Sequence, residues 1–158
     1  MEKIAKKLNV KIAREKAYHI FLNELGGWWP REYTWSQEKL IKIGIDPKIN
    51  GLCFEIGPHG FRCDWGRVTA LEENHRIKLK WQISPKREPI PNPDRASDLS
   101  IVLITNDQGT TLLFEHLNFE NHGDGAKEYR NVMNGTYGWD YILGKYKKYC
   151  EMKESNNY

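Results

Sequence analysis

The chain has 158 residues, the size of one domain built on a single hydrophobic core, and it carries six Trp, eight Tyr and five Phe, 12% of its residues, at a mean hydropathy of −0.72. Lys and Arg outnumber Asp and Glu by only 24 to 21 and the two signs are interspersed, so nucleic acid is not an expected partner, and no apolar run approaches the roughly 20 residues of a membrane-spanning helix or forms the core of a signal peptide. Cys53, Cys63 and Cys150 are too few and odd in number for a disulfide framework, which together with the rest predicts a cytoplasmic chain with reduced thiols and no membrane insertion.

No linker, composition shift or internal repeat divides the sequence, so one domain over residues 1–158 is expected. The opening stretch alternates Ile4, Lys6, Leu8, Val10 and Ile12 against Ala5, Lys7, Asn9 and Lys11, the pattern of a strand with one partly apolar face. From Arg14 to Leu25 the positions Ala17, Ile20, Phe21 and Leu25 recur at helical spacing, and Gly26-Gly27 is read as the stop. Trp28-Trp29-Pro30 follows, and two adjacent indoles in a short turn must fill two different gaps.

The middle of the chain reads as antiparallel strands. Leu52, Phe54 and Ile56 alternate ahead of the turn Gly57-Pro58-His59-Gly60, and Phe61, Cys63 and Trp65 resume after it, which predicts a hairpin with Phe54 opposite Cys63 and Leu52 opposite Trp65. Apolar parity then switches to Val68 and Ala70, so a bulge is expected at Gly66-Arg67. Ile77, Leu79, Trp81 and Ile83 alternate with Lys78, Lys80 and Gln82, one face to core and one to water. Residues 84–97 hold Pro85, Pro89, Pro91 and Pro93 and are read as a long loop of the kind that forms lids or rims. Strand returns over 98–105, turns at Asn106-Asp107-Gln108-Gly109, and runs back through Leu112, Phe114 and His116. The last element is expected as one long helix from Gly125 to about Tyr149, N-capped by Asp124, with Tyr129, Val132, Met133, Thr136, Tyr137, Trp139, Ile142, Leu143 and Tyr146 at apolar spacing. Gly135, Gly138 and Gly144 lie within it, and close approach to a sheet would account for them.

Strand, helix, a run of antiparallel strands and a long C-terminal helix is the order of a helix-grip fold, an α+β arrangement in which a curved antiparallel β-sheet wraps round that helix, with short helices near the N-terminus. Glu-Leu-Gly-Gly-Trp-Trp-Pro at 24–30, Cys-Asp-Trp-Gly-Arg-Val at 63–68, Leu-Lys-Trp-Gln-Ile-Ser-Pro at 79–85, Ala-Ser-Asp-Leu at 96–99 and Gly-Trp-Asp-Tyr-Ile-Leu at 138–143 resemble the SRPBCC (START-like, Bet v 1-like) superfamily. Within it they are similar to the branch named for the C-terminal domain of the activator of Hsp90 ATPase. The resemblance implies an internal, mostly apolar cavity between sheet and C-terminal helix, with a lipid-like apolar or amphipathic small molecule as ligand. It implies as alternatives a cyclase, dehydratase or hydrolase using the same space, or a co-chaperone-like interaction module. The eukaryotic co-chaperone adds an N-terminal domain for which 158 residues are expected to leave no room, so a chaperone partner is the less expected reading.

The rings Trp65, Trp81, Phe114, Tyr129 and Tyr137, with Met133, are placed by parity or helical spacing toward the interior, where they either line the cavity or fill the core. Trp28 and Trp29 are candidates for its mouth. His116 shares the inward parity of Leu112 and Phe114, so it is either a ligand-orienting imidazole or a core histidine hydrogen-bonded to backbone. Glu55 and Glu115 alternate outward and read as surface charges. No catalytic residue, metal or cofactor is expected. Cys63 and His59 are the nearest thiol and imidazole, but strand geometry keeps them apart. His116 and His122 lack a cysteine nearby for zinc. The 121–125 segment lacks the lysine and spacing of a phosphate loop. An edge strand or the Trp28-Trp29 region would support a homodimer, a monomer being the other state left open.

Overall fold

The computed structural model describes residues 1–155. The N-terminal alternation forms β1 (Ile4–Val10), and a helical segment of α1 (Arg14–Asn23) and α2 (Leu25–Trp28) leads to β2 (Lys42–Ile45). β3 (Leu52–Ile56), β4 (Arg62–Glu72), β5 (Arg76–Trp81), β6 (Ser97–Asn106) and β7 (Gly109–Leu117) follow as antiparallel neighbours, and α3 (Ala126–Met133) and α4 (Trp139–Ser155) end the chain. Spatial order is β1-β7-β6-β5-β4-β3-β2, because β1 returns to the far side of the last hairpin and pairs with β7, Ile4 opposite His116. The result is a curled, half-barrel antiparallel sheet holding a C-terminal helix, the expected α+β helix-grip fold. No helix among the described residues is long and apolar enough to cross a membrane.

Each strand that alternates in sequence buries one parity. Ile77, Leu79 and Trp81 of β5, Leu99, Ile101 and Leu103 of β6, and Leu112, Phe114 and His116 of β7 all face the helix. α4 answers with Trp139, Ile142, Leu143, Tyr146 and Cys150, a single buried stripe. The Tyr146 hydroxyl donates to the Ala17 carbonyl at 2.6 Å, tying α4 to α1.

Several local expectations are corrected. Gly26 and Gly27 do not stop α1; Glu24 caps it, and both glycines lie within α2. A Cβ on Gly27 would sit 2.6 Å from the outer end of the Tyr149 ring, so the α4 side chain packs directly on the α2 backbone. The hairpin joining β3 and β4 pairs Glu55 with Cys63 and Phe54 with Asp64, one residue away from the expected register, and in a strand a one-residue slip exchanges the faces. Cys53 and Glu55 therefore point inward, and Phe54 lies outward beneath Arg62 and Lys42. The turn causes the slip: Pro58–Gly60 form a 3-10 turn with His59 left-handed at φ 59°, longer than a two-residue loop. The bulge also differs. Pairing steps from Phe54–Asp64 to Cys53–Gly66, so Trp65 is the extra residue, while a second irregularity falls at Thr69.

The C-terminal helix is broken. α3 ends at Met133 and α4 starts at Trp139, because Gly138 packs onto the Met133 carbonyl so closely that a Cβ there would lie 2.2 Å from its oxygen. Gly138 thus serves a break and not a close approach to the sheet, while Gly144 faces open space on α4. The break resets helical phase, so Thr136 and Tyr137 are exposed, while Val132 is exposed because α3 buries Ala126, Tyr129 and Met133 instead. Gly125, at φ 82°, takes the N-cap position expected for Asp124, and no side chain caps α3.

Candidate functional site

The hollow of the sheet is not completely filled. A cavity of about 560 Å³ lies between the strands, the helix break and the two long connections, within the size range of small-molecule sites. Trp65, Trp81 and Ile83 line it from the central strands and Ile43 and Glu55 from β2 and β3, while Trp29, Met133 and Ile142 close the helical side. Tyr33 and Trp35 from the segment after α2, Arg87 from the proline-rich loop and Tyr137 from the break complete the rim.

Edge-to-face and stacked indoles build the apolar part. Trp29 stacks on Trp65 with ring centres 5.6 Å apart, Trp65 meets Trp81 edge-on at 5.8 Å, and Trp81 meets Trp139 at 5.2 Å. Such contacts follow the ring quadrupole and fix each plane. The polar ends are mostly satisfied. Trp81 Nε1 donates to the Tyr129 hydroxyl at 2.7 Å, which donates to the Ile83 carbonyl at 2.8 Å. Burial pushes that phenol up to about 12, so Tyr129 is a neutral strut. Trp65 is the exception, for its buried Nε1–H meets no acceptor among the described residues.

Glu55, expected on the surface, is wholly buried in the cavity wall. Its carboxylate accepts from Trp35 N at 3.1 Å and from Ser36 N and Ser36 Oγ, both at 2.7 Å, and so fixes the rim segment against β3. Two more bonds lace the mouth. The Tyr33 hydroxyl donates to the Tyr137 carbonyl at 2.7 Å, and Trp35 Nε1 donates to the Arg87 carbonyl at 2.9 Å. The 84–97 loop is thus a rim held from across the opening, as its length and prolines predict.

Of the nine residues singled out from the sequence, Trp29, Trp65, Trp81, Met133 and Tyr137 line the cavity, Tyr137 with 80% of its surface exposed. Trp28 packs between Phe21 and Tyr146, away from the mouth, its Nε1 donating to the Ile20 carbonyl. Phe114 lies under Trp139, and Tyr129 behind Trp81. His116 is buried behind the indoles, stacked on Phe119 at 4.0 Å. Its partners are side chains and not backbone. Trp139 Nε1–H can only donate, and it does so to His116 Nδ1 at 2.9 Å. The neutral ring therefore carries its proton on Nε2 and donates to Ser97 Oγ at 2.6 Å, which turns the Ser97 hydroxyl toward His122 Nε2 at 2.7 Å. Ser97 N donates to the same nitrogen at 3.3 Å. The His122 proton is left on Nδ1, which is buried without a partner among the described residues. Burial holds His116 well below the usual imidazole range and His122 at about 4, with Lys80 adding repulsion at His122.

Sequence reasoning missed Glu55, Arg87, Tyr33 and Trp35. The first hid behind the hairpin slip, and the others lie in connections whose partners are distant in sequence. Among the described residues no three His, Cys, Asp or Glu side chains are grouped to hold a metal. Cys53, Cys63 and Cys150 are buried free thiols; burial raises Cys63 to about 11 and Cys150 to about 12, so neither is a nucleophile at neutral pH.

No curated protein matches the chain, but many solved structures share its fold. An anthrahydroquino-gamma-pyrone synthase, Txn09, is 23% identical over 94% of this chain and 97% of its own, at a TM-score of 0.67. Protein NE0264 from Nitrosomonas europaea is 15% identical over 96% and 95%, at 0.68. The Aha1 dimer from Colwellia psychrerythraea is 18% identical over 96% and 98%, at 0.62. These likenesses are of fold. The family itself is given by residues 12–151, which match the model described as activator of Hsp90 ATPase homolog 1-like protein, and the chain belongs to that family, within the SRPBCC proteins.

Proposed function

We propose that this protein binds a small apolar or amphipathic molecule in the cavity between sheet and C-terminal helices. The observation that carries the reading is the unfilled volume of about 560 Å³ walled by three indoles, a space that close packing would otherwise remove. Burying a flat apolar ligand there returns about 25 cal/mol for each Å² withdrawn from water. The exposed Tyr137 and Val132 at the mouth give such a molecule an apolar path inward.

Thermal denaturation of the full chain against a panel of neutral aromatic and aliphatic compounds tests the proposal, with native mass spectrometry of freshly purified protein beside it. A ligand present at 100 times its Kd stabilises by about 2.7 kcal/mol, a rise of about 5 to 10 °C for a chain of this length. No shift with any compound and no co-purifying mass would remove the reading.

A further inference from the structure

The ligand-binding reading leaves the chemistry of the occupant open, and two donors at the cavity restrict it. Arg87 is the only cation among the described residues lining the space and Glu55 the only carboxylate. The two are not equivalent. Glu55 is fully buried and already accepts three hydrogen bonds. Arg87 has no ion-pair partner within 4 Å among the described residues. Its side chain meets only weak or shared acceptors: Nη1 points at Met133 Sδ at 3.5 Å, and the guanidinium also interacts with the Tyr129 hydroxyl, which Trp81 and Ile83 already engage.

The guanidinium is nevertheless positioned. It lies 4.9 Å over the Tyr129 ring, a cation–π contact that fixes its plane, and Tyr129 is itself held by Trp81 and Ile83. The backbone beneath is held as well. Arg87 adopts φ 64°, a left-handed conformation disfavoured by about 1–2 kcal/mol for a residue with a Cβ. Arg87 N donates to the Ser84 carbonyl, and its own carbonyl accepts from Trp35. A strained, well-anchored arginine at a cavity mouth presents its donor fork to the space it lines. The second unmatched group, Trp65 Nε1–H in the same lining, is also a donor.

We propose that the occupant is an organic anion: a flat apolar body against Trp29, Trp65 and Trp81, with one carboxylate or sulfonate taken by Arg87. This rests on the ligand-binding reading above and adds the sign of the charge. A cationic ligand would meet Arg87 and find Glu55 already bonded.

Two fluorescent probes with the same ring skeleton separate the two ideas: 8-anilinonaphthalene-1-sulfonate and neutral N-phenyl-1-naphthylamine, titrated into the intact protein at one ionic strength. A charge-assisted pair predicts that the sulfonate binds about 10- to 100-fold more tightly than the neutral probe. In Arg87→Gln this preference disappears while the neutral probe changes by no more than about threefold, and Arg87→Lys keeps part of the preference. Rising salt weakens the sulfonate alone. Equal affinity of the wild-type protein for both probes, or an equal loss of both in Arg87→Gln with the melting temperature unchanged, overturns the anion proposal and leaves the cavity reading standing. Failure of both probes to bind overturns the two together.

Discussion

The Trp139–His116–Ser97–His122 chain has only one self-consistent arrangement of protons, which makes Ser97→Ala a sharp perturbation. Ser97 and His116 are wholly buried. Removing the hydroxyl leaves His116 Nε2–H without an acceptor at a site water does not reach, and takes from His122 Nε2 its 2.7 Å donor while the weaker 3.3 Å bond from Ser97 N remains. A buried polar group left unpaired costs about 1–3 kcal/mol, so the loss is about 2–4 kcal/mol for the pair, a fall of roughly 5 to 15 °C in melting temperature. Urea denaturation at pH 7.5 measures it, and nitrogen chemical shifts in the folded wild-type protein report the His116 proton on Nε2. A loss below about 0.5 kcal/mol, or a proton found on His116 Nδ1, refutes the reasoning.

The same imidazoles predict acid sensitivity: burial keeps both neutral in the folded state well below the usual imidazole range, His122 to about pH 4, whereas in the unfolded chain they take protons near pH 6.5. Stability is therefore fully present above pH 6.5 and falls as pH drops toward 4, with up to two protons taken up on unfolding. His122→Gln flattens the slope between pH 6.5 and 5 in urea titrations, and an unchanged slope counts against the assignment. Gly138→Ala forces a Cβ to 2.2 Å from the Met133 carbonyl and costs about 3 kcal/mol or more. Gly144→Ala meets nothing within 4 Å and gains about 0.5–1 kcal/mol; calorimetry that ranks them the other way disposes of the helix-break account. Finally, the folded protein resists a thiol reagent at pH 8 and releases three thiols in denaturant, since all three cysteines are buried. Fast labelling of Cys63 in the native state contradicts its raised pKa of about 11.

Most of the sheet was legible because β5, β6 and β7 bury one face each, so Ile77, Leu79, Ile101, Leu112 and His116 carry their side in the alternation itself. β3 was not. Leu52, Phe54 and Ile56 alternate as a buried set should, yet Glu55 faces inward because donors at Trp35 and Ser36, some 20 residues away, compensate its charge. A local pattern has no access to such partners. The helix break was hidden for a related reason: apolar spacing continues through residues 134–138, and only the packing of Gly138 on Met133 shows that two helices share it. Of the site, Trp65 and Trp81 could be read from parity and Trp29 from its place in the turn after the helix, whereas Trp35 could not. The charged groups that set its polarity could not, because Arg87 lies in a loop whose place is fixed by Trp35 across the mouth.

The break between α3 and α4 divides labour in the C-terminal third. α4 is bound to the oldest contacts in the chain order, Tyr146 to Ala17 and Tyr149 to Glu24, whereas α3 touches the loops around the opening through Met133 and Tyr129. Changes at rim positions such as Arg87 and the exposed Val132 therefore reshape the chamber without touching these α4 contacts. The rim is in this way able to change while the α4 contacts are kept, which lets one scaffold be refitted for new small molecules a few residues at a time.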